Sequence, residues 1–406
     1  MKRILAWVVA LMLACAMFTG VMAEEATTTI EFFCVKQEVQ GIMQEIIDDF
    51  EAENPSIHVE LTYAADGETV LQTRIASGDV PDVMSLYPAE RTYRMLLDEG
   101  YIIDMTDYDF MQNVEQSMLD LASYNGAQIA IPYTLSLYGI HYNVDIFNEL
   151  GLSVPTTMDE LMDVCAKLKE AGYDAFALPL NDNADQISER LISAFDGENY
   201  KEFEAVAAGE MDIHDVKALQ ALADFILGIK PYSTADAMGM NNDSAHSDFI
   251  NKKAAMRLQG SWYLSTVKEA DPDFNVGLFG IPSPVTNDTI IPVNIDTGFA
   301  VSATTENQEA ALLFAEYMTR PEVATKYYSV DGNINMIKGV TYDKAEYMDV
   351  YNLVMDGKMS LTQINLWQEG VNMRTAIAAA VQTLYMDEDV EAFYQMVNDA
   401  ILENYA

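Results

Sequence analysis

The chain is short of bases: 22 Lys and Arg face 64 Asp and Glu, a formal charge of −42. Nucleic-acid affinity rests on Lys and Arg neutralising phosphates, so this balance excludes a phosphate-coating surface and leaves no case for nucleic acid or anionic lipid as partner. The acidic excess speaks to solubility and self-repulsion, and it is compatible with a neutral ligand held in a local cleft. Histidine is scarce as well. His58, His141, His214 and His246 share no metal-ligand spacing, and neither H-E-x-x-H nor Cys-x-x-Cys occurs. No G-x-S-x-G nucleophile turn, phosphate loop or G-x-G-x-x-G is present. No metal or cofactor is therefore expected. Paired carboxylates could serve a glycosidase, but with 64 acids some pair always looks suitable.

Cysteine is limited to Cys15, Cys34 and Cys165. Cys15 lies in a segment that reads as an export signal: Lys2 and Arg3, an apolar run from Ile4 to Phe18, then Val21-Met22-Ala23 before Glu24-Glu25. Cleavage after Ala23 removes residues 1–23. The stretch Leu11 to Cys15 faintly resembles a lipoprotein box, in which a lipidated Cys15 would become residue one. The cleaved signal is the better match, since Ala16 to Ala23 would make an oddly apolar tether. No later window supplies the roughly 20 apolar residues of a bilayer span, so the mature protein is expected outside the cytoplasmic membrane, in the periplasm or at the cell surface. Cys34 and Cys165 are far apart and read as two buried free thiols.

The length calls for two domains. Thr27 to Val35 alternates as a strand, Gln40 to Glu53 spaces Ile42, Met43, Ile46, Ile47 and Phe50 as a helix, and Asn54-Pro55 stops it. Strands follow at Ile57 to Leu61 and Pro81 to Leu86, with a helix from Thr69 to Ala76 between them. The pattern resumes with a strand at Gly139 to Asn143, a helix from Met158 to Ala171 capped by Thr156 or Thr157, and a strand at Phe176 to Leu180. Helices are expected from Asp185 to Phe195, Tyr200 to Ala208, Ile213 to Leu227 and Asn307 to Met318. Strands are expected at Lys253 to Leu258, Asn275 to Phe279 and from Thr297. The tail from Tyr342 to Asn404 reads as nearly all helical. Strands alternating with helices imply an α/β fold with a parallel or mixed sheet covered on both faces.

Several segments together resemble the bacterial extracellular solute-binding proteins of carbohydrate ABC transporters, the family-1, maltose-binding-protein-like group. They are FEAENPSIHVE (Phe50 to Glu60), RIASGDVPDVMSLYP (Arg74 to Pro88), IPYTLSLYGIHYNVDIFNELGLSVPTTMDEL (Ile131 to Leu161), KAAMRLQGSWYL (Lys253 to Leu264) and DTGFAVSATTENQEAALLFAEYMTRPE (Asp296 to Glu322). The resemblance implies a two-lobed periplasmic-binding-protein fold, each lobe a mixed sheet flanked by helices, with hinge crossings and a helical C-terminal tail. Lobe one would hold 26–133 plus 300–332, lobe two 139–292 plus 340–406, and the crossings 134–138, 293–299 and 333–339. It also implies a non-enzymatic, monomeric receptor that delivers a sugar to the permease subunits of an ABC importer. A receptor for peptide or polyamine, or a secreted carbohydrate-active enzyme, is the alternative.

A sugar offers hydroxyl rims and apolar C–H faces, so its site needs flat aromatic platforms edged by carboxylates, amides or cations. Trp262, after Gln259-Gly260-Ser261 at a strand end, stands where the family has a stacking residue, and Trp367 where it has a second platform. Arg374 is placed to reach a hydroxyl or to pair with a surface acid. Lys36, Gln37 and Glu38 follow the first strand and Tyr87 the third, and loops at strand carboxyl ends are where open α/β sheets bind ligands. Tyr133, Ser136 and Tyr138 flank the first crossing and Asp296 begins the second, so each is a candidate for hinge or ligand.

Overall fold

The computed structural model describes residues 27–405. The expected signal segment and Cys15 lie outside them. Among the described residues ten strands form one connected network, ordered Ile57–Thr62 (β2), Thr28–Phe33 (β1), Val83–Leu86 (β3), Ile291–Val301 (β8), Ile131–Asn143 (β4), Ala254–Gly260 (β6) and Asp174–Phe176 (β5), with Met359–Leu361 (β10) beside β8 and both Val276–Phe279 (β7) and Ile334–Asn335 (β9) beside β4. β1 (Thr28–Phe33) runs parallel to β2 (Ile57–Thr62) and β3 (Val83–Leu86), the crossover arrangement that intervening helices impose. The helix Gln40–Glu53 between β1 and β2 buries Ile42, Met43, Ile46, Ile47 and Phe50, as its spacing predicts.

β4 (Ile131–Asn143) and β8 (Ile291–Val301) form the spine. They pair antiparallel from Ile131↔Phe299 to Leu137↔Val293, with register shifts around Thr134. Beyond Leu137, β4 changes partners. Its second half pairs with β6 (Ala254–Gly260) and β7 (Val276–Phe279), and β6 carries β5 (Asp174–Phe176) parallel at its far side. The short β9 (Ile334–Asn335) joins β4 at Thr134 and Leu135.

Two large apolar cores result. The first gathers buried side chains from Ile30 to Leu137 and from Ile291 to Leu361, together with Leu278; the second gathers most of those from Tyr138 to Ile281 and those from Trp367 to Ile401, while small clusters around Phe249 and Met240 stand apart. The change of core falls between adjacent residues of one strand, Leu137 and Tyr138. In the second half the helix Met158–Glu170 opens with a capping box, Thr157 accepting from the Glu160 amide and Glu160 reaching back. Cys34 and Cys165 are free and buried.

Three local expectations need correction. The strand expected at Phe176 to Leu180 ends at Phe176, since Pro179 has no amide to continue a ladder. The strand expected at Gly139 to Asn143 is only the end of a longer one, β4, which begins at Ile131 and runs through 134–138. The tail is not uniformly helical: Gly357, at φ 77°, follows the helix Met348–Met355 and admits β10 (Met359–Leu361), which pairs with β8 at Ile291 to Val293. The apolar side chains of 342–361 also cluster with the first core, whereas those of 367–401 belong to the second.

A candidate ligand cleft

The chain leaving β1 and β3 supplies one wall of a cavity of about 760 Å3, with Lys36 and Glu38 after β1 and Tyr87 after β3. Its size lies within the usual range of small-molecule clefts. Asp296 reaches it from the middle of β8. Asp331, the last residue of the helix Pro321–Asp331, and Asn333 reach it across Gly332, whose φ of 71° ends that helix in the left-handed region. Further lining comes from the junction of β6 with the helix Tyr263–Ala270, through Ser261, Trp262 and Ser265. The segment 342–347 closes one side with Tyr342, Lys344, Glu346 and Tyr347.

Lys36 is the electrostatic centre. Its ammonium donates to Asp296 Oδ2 at 2.5 Å and to Asp331 Oδ1 at 2.6 Å while only 7% of the side chain is exposed. Burial works against the cation, but the two carboxylates outweigh it and hold the Lys36 pKa above its ordinary value. Asn333 donates from Nδ2 to Asp296 Oδ2 at 3.1 Å and from its amide to Asp331 Oδ2 at 3.3 Å. Ser261 Oγ donates to Asn333 Oδ1 at 3.3 Å and accepts from the Leu137 amide at 3.3 Å. One network thus ties β1, β4, β8 and the start of the Trp262 turn.

Two carboxylates have about eight acceptor positions between them, and these partners fill only part. The rest suit hydroxyl donors, and charge-assisted bonds are the stronger kind. In the same cavity Trp262 is 44% exposed. Acceptors and an indole lining one cavity match the two surfaces of a sugar. The Tyr87 hydroxyl stays protonated, since burial and the nearby Asp296 charge both raise its pKa.

Of the residues singled out from sequence, Lys36, Glu38, Tyr87, Trp262 and Asp296 come together here. The others lie elsewhere. Gln37 turns away and donates to the Ala64 carbonyl at 2.6 Å. Tyr133 is fully buried between Phe299 and Tyr327 and donates to the Met318 carbonyl. Ser136 is buried opposite Asn294 in the β4–β8 ladder, and Tyr138 is buried in the second core. Trp367 is a core residue: 3% exposed, stacked on Phe203 at 5.4 Å, and donating from Nε1 to Asn199. Arg374 pairs with Asp185 at 3.0 Å. Asp331, Asn333, Ser261, Lys268 and Glu269 were not foreseen as cleft residues. A helix end next to an expected crossing was the available signal for Asp331 and Asn333, and the turn before Trp262 for Ser261. Among the described residues no group of His, Cys, Asp and Glu is arranged to hold a metal, and no helix is long and apolar enough to cross a membrane.

Comparison with known proteins gives a consistent picture. The family model for "bacterial extracellular solute-binding protein" matches residues 36–325. The multiple sugar-binding protein of Streptococcus mutans is 33% identical over 347 residues, covering 82% of this chain and 81% of that protein. The melibiose/raffinose/stachyose-binding protein MelE of Bacillus subtilis is 23% identical, covering 76% and 74%. The apo-form of RafE from Streptococcus pneumoniae superposes with a TM-score of 0.83 at 26% identity, covering 94% of this chain and 99% of that one. RafE in complex with raffinose gives 0.76 at the same identity, covering 94% and 100%.

Proposed function

We propose a function for a chain that belongs to the bacterial extracellular solute-binding protein family. The protein is a carbohydrate receptor. It captures a saccharide in the cleft between its lobes and delivers it to the permease subunits of an ABC importer. The observation that carries this reading is the exposed Trp262 lining the same cavity as Asp296 and Asp331, which Lys36 bridges. The sugar-binding relatives support it, and the raffinose complex of RafE together with the relative MelE makes raffinose and stachyose the first ligands to try.

In this reading the crossings are β4, β8 and the stretch leading into β9, and the lobes close by bending about them. The better superposition on apo RafE than on its raffinose complex supports an open form here. The receptor acts as a monomer, needs no cofactor and turns nothing over. It works outside the cytoplasmic membrane, after cleavage following Ala23 that also removes Cys15. Intact mass of protein from its native host tests that last point, since a chain beginning at a diacylated Cys15 would make it a tethered lipoprotein.

One observation favours a second reading. Glu38, Glu269, Asp296, Asp331 and Glu346 line the cavity against Lys36, Lys268 and Lys344, an acidic excess that would suit a polyamine. A thermal-shift series separates the two: raffinose, stachyose and maltotriose against spermidine and a short peptide, since a ligand that binds only the native state raises the melting temperature. Stabilisation by a saccharide that is recovered unchanged supports the receptor. Stabilisation by spermidine alone, or consumption of the saccharide with turnover, overturns it.

A further inference from the structure

β6 ends on Gly260, and the backbone there does not call for glycine: the residue is absent from the positive-φ positions and pairs with Tyr138 as an ordinary rung of the β4–β6 ladder. Glycine inside a strand forfeits side-chain packing, and its presence there often marks the close approach of another group. The approaching group is the Trp262 indole. A Cβ placed on Gly260 would land among Cε3, Cζ3 and Cη2 of the six-membered ring, closer than any real contact allows. The ring therefore lies on the bare backbone of Gly260, with 44% of the residue still exposed towards the cavity. Residues directly opposite in an antiparallel pair share a face, so this seat sits beside the buried Tyr138 ring.

We infer that Gly260 is the positioning residue of the ligand-stacking platform: it touches no ligand itself, but its missing side chain lets Trp262 lie flat against β6 and present one face to the saccharide. The inference rests on the carbohydrate-receptor reading. A methyl group at 260 tips the indole off the strand. The displaced group is a side chain and not backbone, so the fold tolerates the change while the stacking geometry is lost and part of the indole's apolar contact remains.

The experiment compares the wild type, Gly260→Ala, Trp262→Ala and the double variant, with raffinose as probe in calorimetry, circular dichroism as fold control and acrylamide quenching of tryptophan emission without ligand. Gly260→Ala is expected to fold, to show a more quenchable Trp262, and to bind raffinose about tenfold more weakly, the scale of one stacking contact. In the Trp262→Ala background the same change should have no further effect, since a residue acting only through the ring has nothing left to position. Equal weakening in both backgrounds, or unaltered quenching in Gly260→Ala, overturns the inference. Should the wild type bind no saccharide, the receptor reading fails by itself and quenching alone decides the role of Gly260.

Discussion

Trp262→Ala isolates the apolar half of the cleft, and its cost can be worked from the structure. Tryptophan presents about 250 Å2 of surface. With 44% exposed, about 110 Å2 of indole is available to a ligand. At about 25 cal/mol per Å2, covering all of it contributes about 2.7 kcal/mol, and stacking geometry adds about 0.5 to 1.5 kcal/mol. Because a ligand covers one face and not the whole exposed area, about 2 to 3 kcal/mol is the expected loss, a 30- to 150-fold rise in Kd at about 1.4 kcal/mol per decade. Stability should change little, since the indole rests on Gly260 and is not enclosed by a core. Isothermal titration of raffinose or stachyose gives the Kd, and thermal unfolding followed by circular dichroism gives the stability. A Kd within about twofold of wild type, or collapse of the fold, would refute the platform and make Trp262 a packing residue.

Lys36→Met should lower stability in urea unfolding, by at most about 3 to 5 kcal/mol, the cost of a broken buried pair, because it leaves the enclosed Asp331 carboxylate and the partly exposed Asp296 without their cation; an unchanged midpoint would show that the carboxylates find other compensation. Saturating raffinose should shrink the radius of gyration in small-angle scattering, and binding without contraction would place the ligand in a site preformed within one lobe. Glu90 is pushed up to about 8 by burial and by the neighbouring Glu68 charge. The folded state therefore holds a proton that the unfolded chain has lost, so stability is full below about 4.5 and falls as pH rises towards 8. Glu90→Gln should flatten that slope in melting temperature against pH, and an unaltered slope would assign it to other groups.

Local signals were legible and distant ones were not. The helix Gln40–Glu53 could be read to its ends because its apolar stripe and the Asn54-Pro55 stop lie within the segment itself. The continuity of β4 could not, since Thr134 to Tyr138 become strand only through partners on β8, β9 and β6. β10 likewise exists because β8 offers an edge at Ile291. In the cleft, Lys36 and Tyr87 followed from the rule for strand ends, and Trp262 from the small residues before it. Trp367 offered equal chemistry, but its fate depends on Phe203 and Asn199, which no local pattern links to it. Asp331 joins the cleft lining through its ion pair with Lys36, nearly three hundred residues away in sequence, and the nearby helix end hints at its place without naming that partner.

The two thiols among the described residues bear on how the proposed closure can be watched. Both are enclosed, and burial pushes Cys165 up to about 12 and raises Cys34 as well. A thiol reagent reacts through the thiolate, so neither competes for a dye under mild conditions. In a chain cleaved after Ala23, as proposed, a cysteine introduced at an exposed point of each half would then take up the dyes in preference to both of these thiols. With a donor and an acceptor on them, the protein would report the sugar content of its surroundings as a change in colour, with no native residue replaced to clear the background.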